Sequence, residues 1–236
     1  MKIPRGSEVI FSVRKIIDDC AGVKAGENVM IMTDTSSDES VVDIFAYLCH
    51  ERDANVTITT TLPRNAPPKP VVEAALASDV LFTLVTEGRL LTGDIRVALR
   101  EHGVRSIASG ISHGDIVRRD GPFYADFGEL EKWGRVLGDK FAKAKKLRVK
   151  SSSGTDIMAN IDGRVGRVMD CVAKEPGSFE FPPDTEVGAS PVTCEGMIVV
   201  DTMVGAGVGW TSTPFNMIVE NGKVVRFENA VDPTAK

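Results

Sequence analysis

Residues 28–61 read NVMIMTDTSSDESVVDIFAYLCHERDANVTITTT, and this stretch decides the fold. Its first six residues form a near-continuous apolar run of strand length, the pattern of a strand whose sheet is covered on both faces. A polar turn follows at 34–38. A helix is expected over 39–52, with Val42, Ile44, Phe45 and Leu48 among its buried candidates. Asp38 stands where a carboxylate can take a free N–H of the first helical turn. The β-branched run at 56–61 makes the next strand. Strand, helix and strand at this spacing predict a βαβ unit and a parallel sheet.

Outward from this unit the same alternation continues. Upstream, Val9, Ile10, Val13, Ile16 and Ile17 mark one face of a helix over 8–21, closed by Gly22 and Gly26. Downstream, a loop at 63–70 holds four prolines. A helix at 71–77, a strand at 80–85, a helix at 93–102, a strand at 104–108 and a longer helix at 127–146 complete the series. From Leu147 the pattern changes to strands alone. These are 147–151 and 155–161 around Ser152-Ser153-Gly154, then 197–201, then 215–219 and 223–227 flanking Asn221-Gly222. That dipeptide fits a type I′ hairpin turn. The expected fold is therefore α/β: a Rossmann-like parallel-sheet domain over 1–146, followed by a mostly β domain over 147–236.

Composition narrows the function class. With 42% hydrophobic and 26% charged residues the chain is of globular type, neither disordered nor collagen-like. Its net charge of −5 argues against a nucleic-acid partner. The densest basic run, Lys143 to Lys150, reads as a helix C-terminus entering a strand with an exposed face. The polar start at 1–8 and the shortness of every apolar run predict neither a secretory leader nor a membrane span, so the expected setting is cytoplasmic. Cys20, Cys49, Cys171 and Cys194 form no CxxC and are expected to be reduced and mostly buried.

Ligands of an open parallel sheet sit beyond the carboxyl ends of its strands. Asp34-Thr35-Ser36-Ser37 and Thr86-Glu87-Gly88-Arg89 occupy such places, which makes Asp34 and Arg89 substrate-binding candidates; helix capping is the competing role at 34–38. No GxGxxG follows these strands and no GxxxxGK[ST] occurs, so dinucleotide and P-loop chemistry are not indicated. Of the three histidines, His50 and His102 fall at helix ends. His113, in SGISHGD after the fourth strand, is the third substrate-binding candidate, with loop capping as its alternative. There is no HExxH and no complete histidine metal site. No GxSxG elbow occurs, and residues 151–156 read as a turn that the Asp156 side chain would bond. Residues 205–210 read as a tight β-bulge region in preference to a mobile flap. Residue patterns single out no catalytic group.

The second half carries a series of segments in fixed order: LRVKSSSGTDIMANIDGR at 147–164, EPG at 175–177, PDTEVGASP at 183–191, EGMIVVD at 195–201 and FNMIVENGKVVRF at 215–227. Together with the N-terminal strand, its Asp-Thr turn and the Pro-Pro-Lys-Pro loop, this series resembles the leucyl aminopeptidase-like superfamily. That superfamily contains the thermophilic aminopeptidase T metallopeptidases and the 2,5-dihydroxypyridine 5,6-dioxygenases.

The resemblance implies a Rossmann-like domain joined to a mostly β domain, assembled as a homo-oligomer around a small-molecule or peptide substrate. In the peptidase branch, Glu186 matches a metal-ligand position. Zinc, cobalt or manganese would serve a hydrolase acting on peptide N-termini; iron would serve a ring-cleaving dioxygenase. The family's further ligands, a late His-x-Asp pair and another histidine, lie downstream of the hairpin and match no residue up to Lys236. The resemblance thus leaves open a third expectation, a non-catalytic scaffold that lost the metal site.

Overall fold

The apolar stripe expected over 8–21 forms α1 (Gly6–Lys15), which runs on as a π-helical segment, Ile16–Ala21. Ile16, Ile17, Cys20 and Ala21 are fully buried there. Gly22 ends the segment at φ 59°, its N–H bonded to the Ile17 carbonyl. In this computed structural model, which describes residues 6–63, 66–86, 93–108, 121–204, 209–211 and 213–230, the chain then alternates as the sequence predicts. β1 (Asn28–Asp34) leads to α2 (Glu39–His50), and Asp38 caps that helix by accepting the Ser40 N–H. β2 (Asn55–Thr61), α3 (Lys69–Leu76), β3 (Val80–Leu84), α4 (Gly93–Glu101) and β4 (Arg105–Ala108) follow.

Beyond them come α5 (Phe127–Lys143), β5 (Lys146–Lys150), β6 (Asp156–Asn160), β7 (Arg167–Met169) and β8 (Phe179–Glu180). β8 joins the first sheet, whose order is β2-β1-β3-β4-β8 and whose pairings are all parallel. Alternation along β1 splits the core in two. Val29 and Ile31 join Phe45, Leu48, Phe82 and Ile107 on the side of α1 and α2. Met30 and Met32 join Val71, Leu81, Leu99 and Val104 on the side of α3 and α4. The Phe45 and Phe82 rings lie 5.2 Å apart. Each side chain of this size contributes about 2–3 kcal/mol when taken wholly out of water.

The C-terminal elements are β9 (Glu186–Gly188), β10 (Thr193–Val200), β11 (Met203–Val204), β12 (Gly209–Trp210), β13 (Phe215–Glu220) and β14 (Lys223–Glu228). The antiparallel sheet has the order β14-β13-β10-β6-β5, and β7–β9 and β11–β12 form two-stranded ribbons. Asn221 and Gly222 adopt φ 48° and 77°, as a type I′ turn requires. Gly196 has φ 133°, and a Cβ there would stand 2.3 Å from the Asp156 carbonyl oxygen, so the EGMIVVD segment needs its glycine. Asp156 differs from expectation. Its side chain bonds no turn group; instead both carboxylate oxygens take the Arg148 guanidinium at 2.8 and 2.7 Å, with Lys150 at 3.6 Å. Register explains this, because β5 sets Lys150 directly opposite Asp156.

Two compact units result: Met1–Gly134 with Met169–Glu186, and Arg135–Val168 with Val187–Lys236. Among the described residues no helix is long and apolar enough to cross a membrane.

Candidate functional site

The first sheet changes direction at β1, whose neighbours are β2 on one side and β3 on the other. The crevice beyond the carboxyl ends of β1 and β3 is thus the topological switch point, where open α/β sheets hold ligands. Asp34 ends β1 at this crevice and is only 3% exposed. Its Oδ1 accepts the Ser36 N–H at 2.8 Å and lies 3.2 Å from the Ser37 hydroxyl. Its Oδ2 accepts the Thr86 N–H at 2.7 Å and the Thr86 hydroxyl at 2.9 Å. Ser37 in turn donates to the Leu84 carbonyl at 2.7 Å. Burial pushes the Asp34 carboxyl up. The backbone N–H groups of Thr86 and Ser36 and the Thr86 and Ser37 hydroxyls outweigh that, holding it below the usual carboxylate range. The ionised side chain therefore ties the turn after β1 to the end of β3, and both of its oxygens are engaged by the protein.

On the other side of β1 from that crevice, a cavity of about 280 Å³ lies between the ends of β1 and β2 and the first turns of α2, with Asp34 in its lining. Thr33, Thr35, Ser37 and Thr60, the acidic Glu39 and Asp43, and the apolar Val42 and Ile58 line it. Such a lining suits a small ring carrying hydroxyl or ring N–H groups: hydroxyls donate or accept, and carboxylates accept. Arg89 and His113, the other two substrate-binding candidates, lie outside the described residues, as do residues 205–208. His50 closes the last turn of α2, as expected.

Glu186 opens β9 and is exposed, on the ribbon it forms with β7. Among the described residues no three His, Cys, Asp or Glu side chains stand close enough to hold one metal ion. The described residues therefore do not give Glu186 the companion donors that a metal requires.

Glu180 on β8 is a group that sequence reasoning missed. It is 7% exposed, accepts the Cys171 N–H at 3.0 Å, and burial pushes its carboxyl up to about 7 despite that bond. The Asp170 carboxylate nearby adds to the rise. Its signal was the Phe179-Glu180-Phe181 alternation, a charge between two aromatics.

Comparison with known proteins agrees with this architecture. The structure of 2,5-dihydroxypyridine dioxygenase from Pseudomonas putida KT2440 superposes with a TM-score of 0.76 at 14% identity, covering 95% of this chain and 68% of that one. Wild-type AmpT from Thermus thermophilus superposes at 0.68 and 12% identity, covering 94% of this chain and 71% of that one. At these identities the likeness shows the fold. A search of curated proteins returned no sequence match. The family model described as NicX, 2,5-dihydroxypyridine 5,6-dioxygenase, matches residues 8–235, nearly the whole sequence, and on that match the chain belongs to the NicX family within the superfamily that also holds aminopeptidase T.

Proposed function

We propose that this chain is a metal-dependent enzyme that opens the ring of a hydroxylated pyridine with molecular oxygen. The observation that carries the reading is the family match over residues 8–235, which takes in both compact units. The hydroxyl-lined cavity beside Asp34 supports it, being of a size and polarity for a single hydroxylated ring. In this reading Thr35 and Thr60 orient the ring through its hydroxyl and nitrogen. Asp34 keeps the two loops in place and makes no use of a free oxygen. Iron is the metal this chemistry calls for and, when bound, would supply the activation of oxygen; among the described residues no set of side chains gathers to hold it.

A second reading, hydrolysis at peptide N-termini with zinc, cobalt or manganese, is favoured by Glu186 and by the likeness to AmpT. The test is oxygen uptake by protein loaded anaerobically with ferrous iron and given 2,5-dihydroxypyridine. Stoichiometric uptake with loss of the ring absorbance supports ring opening. Release of N-terminal residues from peptides by the zinc-, cobalt- or manganese-loaded protein, without oxygen uptake, supports the hydrolase. Neither activity with either metal leaves the scaffold reading.

A further inference from the structure

Residues 170–185 leave the β7–β9 ribbon, dock on the first unit and return to the ribbon. Ala173 donates its N–H to the Cys20 carbonyl at 2.8 Å, and Ser106 donates to the Ser178 carbonyl at 2.8 Å. Between these bonds β8 adds two residues to the edge of the first sheet, Phe179 opposite Ser106 and Glu180 opposite Ile107. The Arg96 guanidinium stands 3.9 Å from the centre of the Phe179 ring. Gly177 lies so close to the end of α4 that a Cβ there would meet the Arg100 carbonyl oxygen at 2.7 Å. Cys171 and Ala173 are buried in the cluster on the side of α1 and α2.

The loop is gathered around one buried carboxyl. Glu180 Oε2 accepts the Cys171 N–H at 3.0 Å, and the Asp170 N–H bonds the same side chain. Cys171 stands at φ 69°, a left-handed conformation that costs any residue other than glycine. Its Sγ lies 3.4 Å from the Asp184 carbonyl oxygen. Glu180 and Cys171 thus tie the two limbs of the loop to each other. The charged groups around them do not favour a carboxylate. Asp170 acts on Glu180 with like charge, and Asp170 and Asp184 both act on Cys171. The π-helical segment brings the Cys20 thiol beside Cys171. On β4, Arg105 shares the face of Ile107, but it is committed to Glu27 at 2.6 Å and to the Ala21 and Gly22 carbonyls. The Lys174 stem lies against Gly22.

We propose that residues 170–185 are a pH-operated latch, docked on β4 while Glu180 is protonated and opened locally when Glu180 ionises, the rest of the first unit staying folded. Burial pushes this carboxyl up to about 7, which sets the working range near neutral pH. The sign follows from linkage. Docked, Glu180 binds its proton more tightly than in the opened loop, where water reaches the side chain. Docking is therefore strongest at low pH and weakens as pH rises through the docked value. Local opening is easier than global unfolding, because the loop rests on a two-residue strand at a sheet edge, whereas β1 is paired along both sides. Opening uncovers the edge of β4 and the Cys171 thiol.

The experiment is hydrogen exchange of the 236-residue chain, read by mass spectrometry on peptides covering 169–181 and 28–34. It is run at about pH 5.5 and about pH 8 and corrected for the intrinsic exchange rate at each. The Cys171 and Ala173 amides should be less protected than those of β1 at both pH values, which marks local opening. Their protection should fall about thirtyfold between the two, the factor linkage gives for a carboxyl near 7 when docked and in the usual glutamate range when opened. Glu180→Gln keeps an acceptor for the two N–H groups and should hold the change below about twofold. Asp170→Asn keeps the acceptor that the Val172 N–H uses and removes the like charge. It should retain the fall and move its midpoint to lower pH. Loop amides as protected as those of β1 overturn the proposal. So does a wild-type loop whose protection does not fall, or an equal fall in Glu180→Gln.

Discussion

β3 and β10 each lie third in a five-stranded sheet, yet every residue of β3 is buried and none of β10 is. The difference lies in what each sheet packs against. β3 has α1 and α2 on one face and α3 and α4 on the other, and its side chains feed both hydrophobic clusters. β10 carries the same kinds of residue, Ile198 and Val199 among them, without reaching either cluster. Stability should therefore be unevenly spread. Both described buried clusters belong to the first sheet and its helices, whereas among the described strand residues of the second sheet only Phe215 and Val219 are buried.

The largest expected effect tests that contrast directly. Phe82→Ala removes a ring that is 0% exposed from the centre of the first sheet and should cost about 3–5 kcal/mol. Phe227→Ala, at 45% exposure on the second sheet, should cost about 1 kcal/mol, since only part of its surface is withdrawn from water. Urea unfolding of both at low protein concentration measures the gap, and equal costs would break the comparison.

The next effect concerns how the first unit holds β8. Glu180, pushed by burial from the usual glutamate range up to about 7, binds its proton more tightly folded than unfolded. Stability should therefore be greatest below about pH 4.5 as far as this group is concerned, falling as pH rises to about 7 and levelling above. Glu180→Gln should abolish that slope. The variant should exceed wild type by up to roughly 3 kcal/mol at pH 8 and match it near pH 4. Thermal melts across that range decide it.

Asp34 has the opposite sign. Its folded pKa is lowered, so its contribution is whole above about pH 4 and is lost as pH falls through the folded value. Asp34→Asn weakens two charge-assisted bonds from Thr86 and should cost about 2 kcal/mol at neutral pH. Affinity for a hydroxypyridine, read by calorimetry, should fall as the turn after β1 loosens. The smallest effect belongs to the second unit. Arg148 holds Asp156 at about 2 through its paired hydrogen bonds, but the pair stands in solvent. Arg148→Ala should leave the melting temperature unchanged within error at high salt.

Much of the first unit was legible in the sequence because both periods were strong. The run VMIM could only be a strand buried on both faces, and Asp38 sat where a cap belongs. β8 was not legible, because two residues carry no period, and its place beside β4 depends on a backbone pairing far away in sequence. Glu180 escaped for a related reason: a lone carboxylate reads as exposed until the fold shows it buried against the Cys171 N–H. At the site, Asp34 was placed correctly at a strand end, but its four neighbouring donors come partly from Thr86, and no local pattern announces that tie.

The most direct test of the central claim is the fate of oxygen. 2,5-Dihydroxypyridine should be turned over by the ferrous protein under ¹⁸O₂ and the product analysed by mass spectrometry. Ring opening by this chain predicts that both labelled oxygen atoms appear in the ring-opened product. An intact ring, with the metal-loaded chain instead freeing N-terminal residues from peptides and incorporating oxygen only from water, would contradict it.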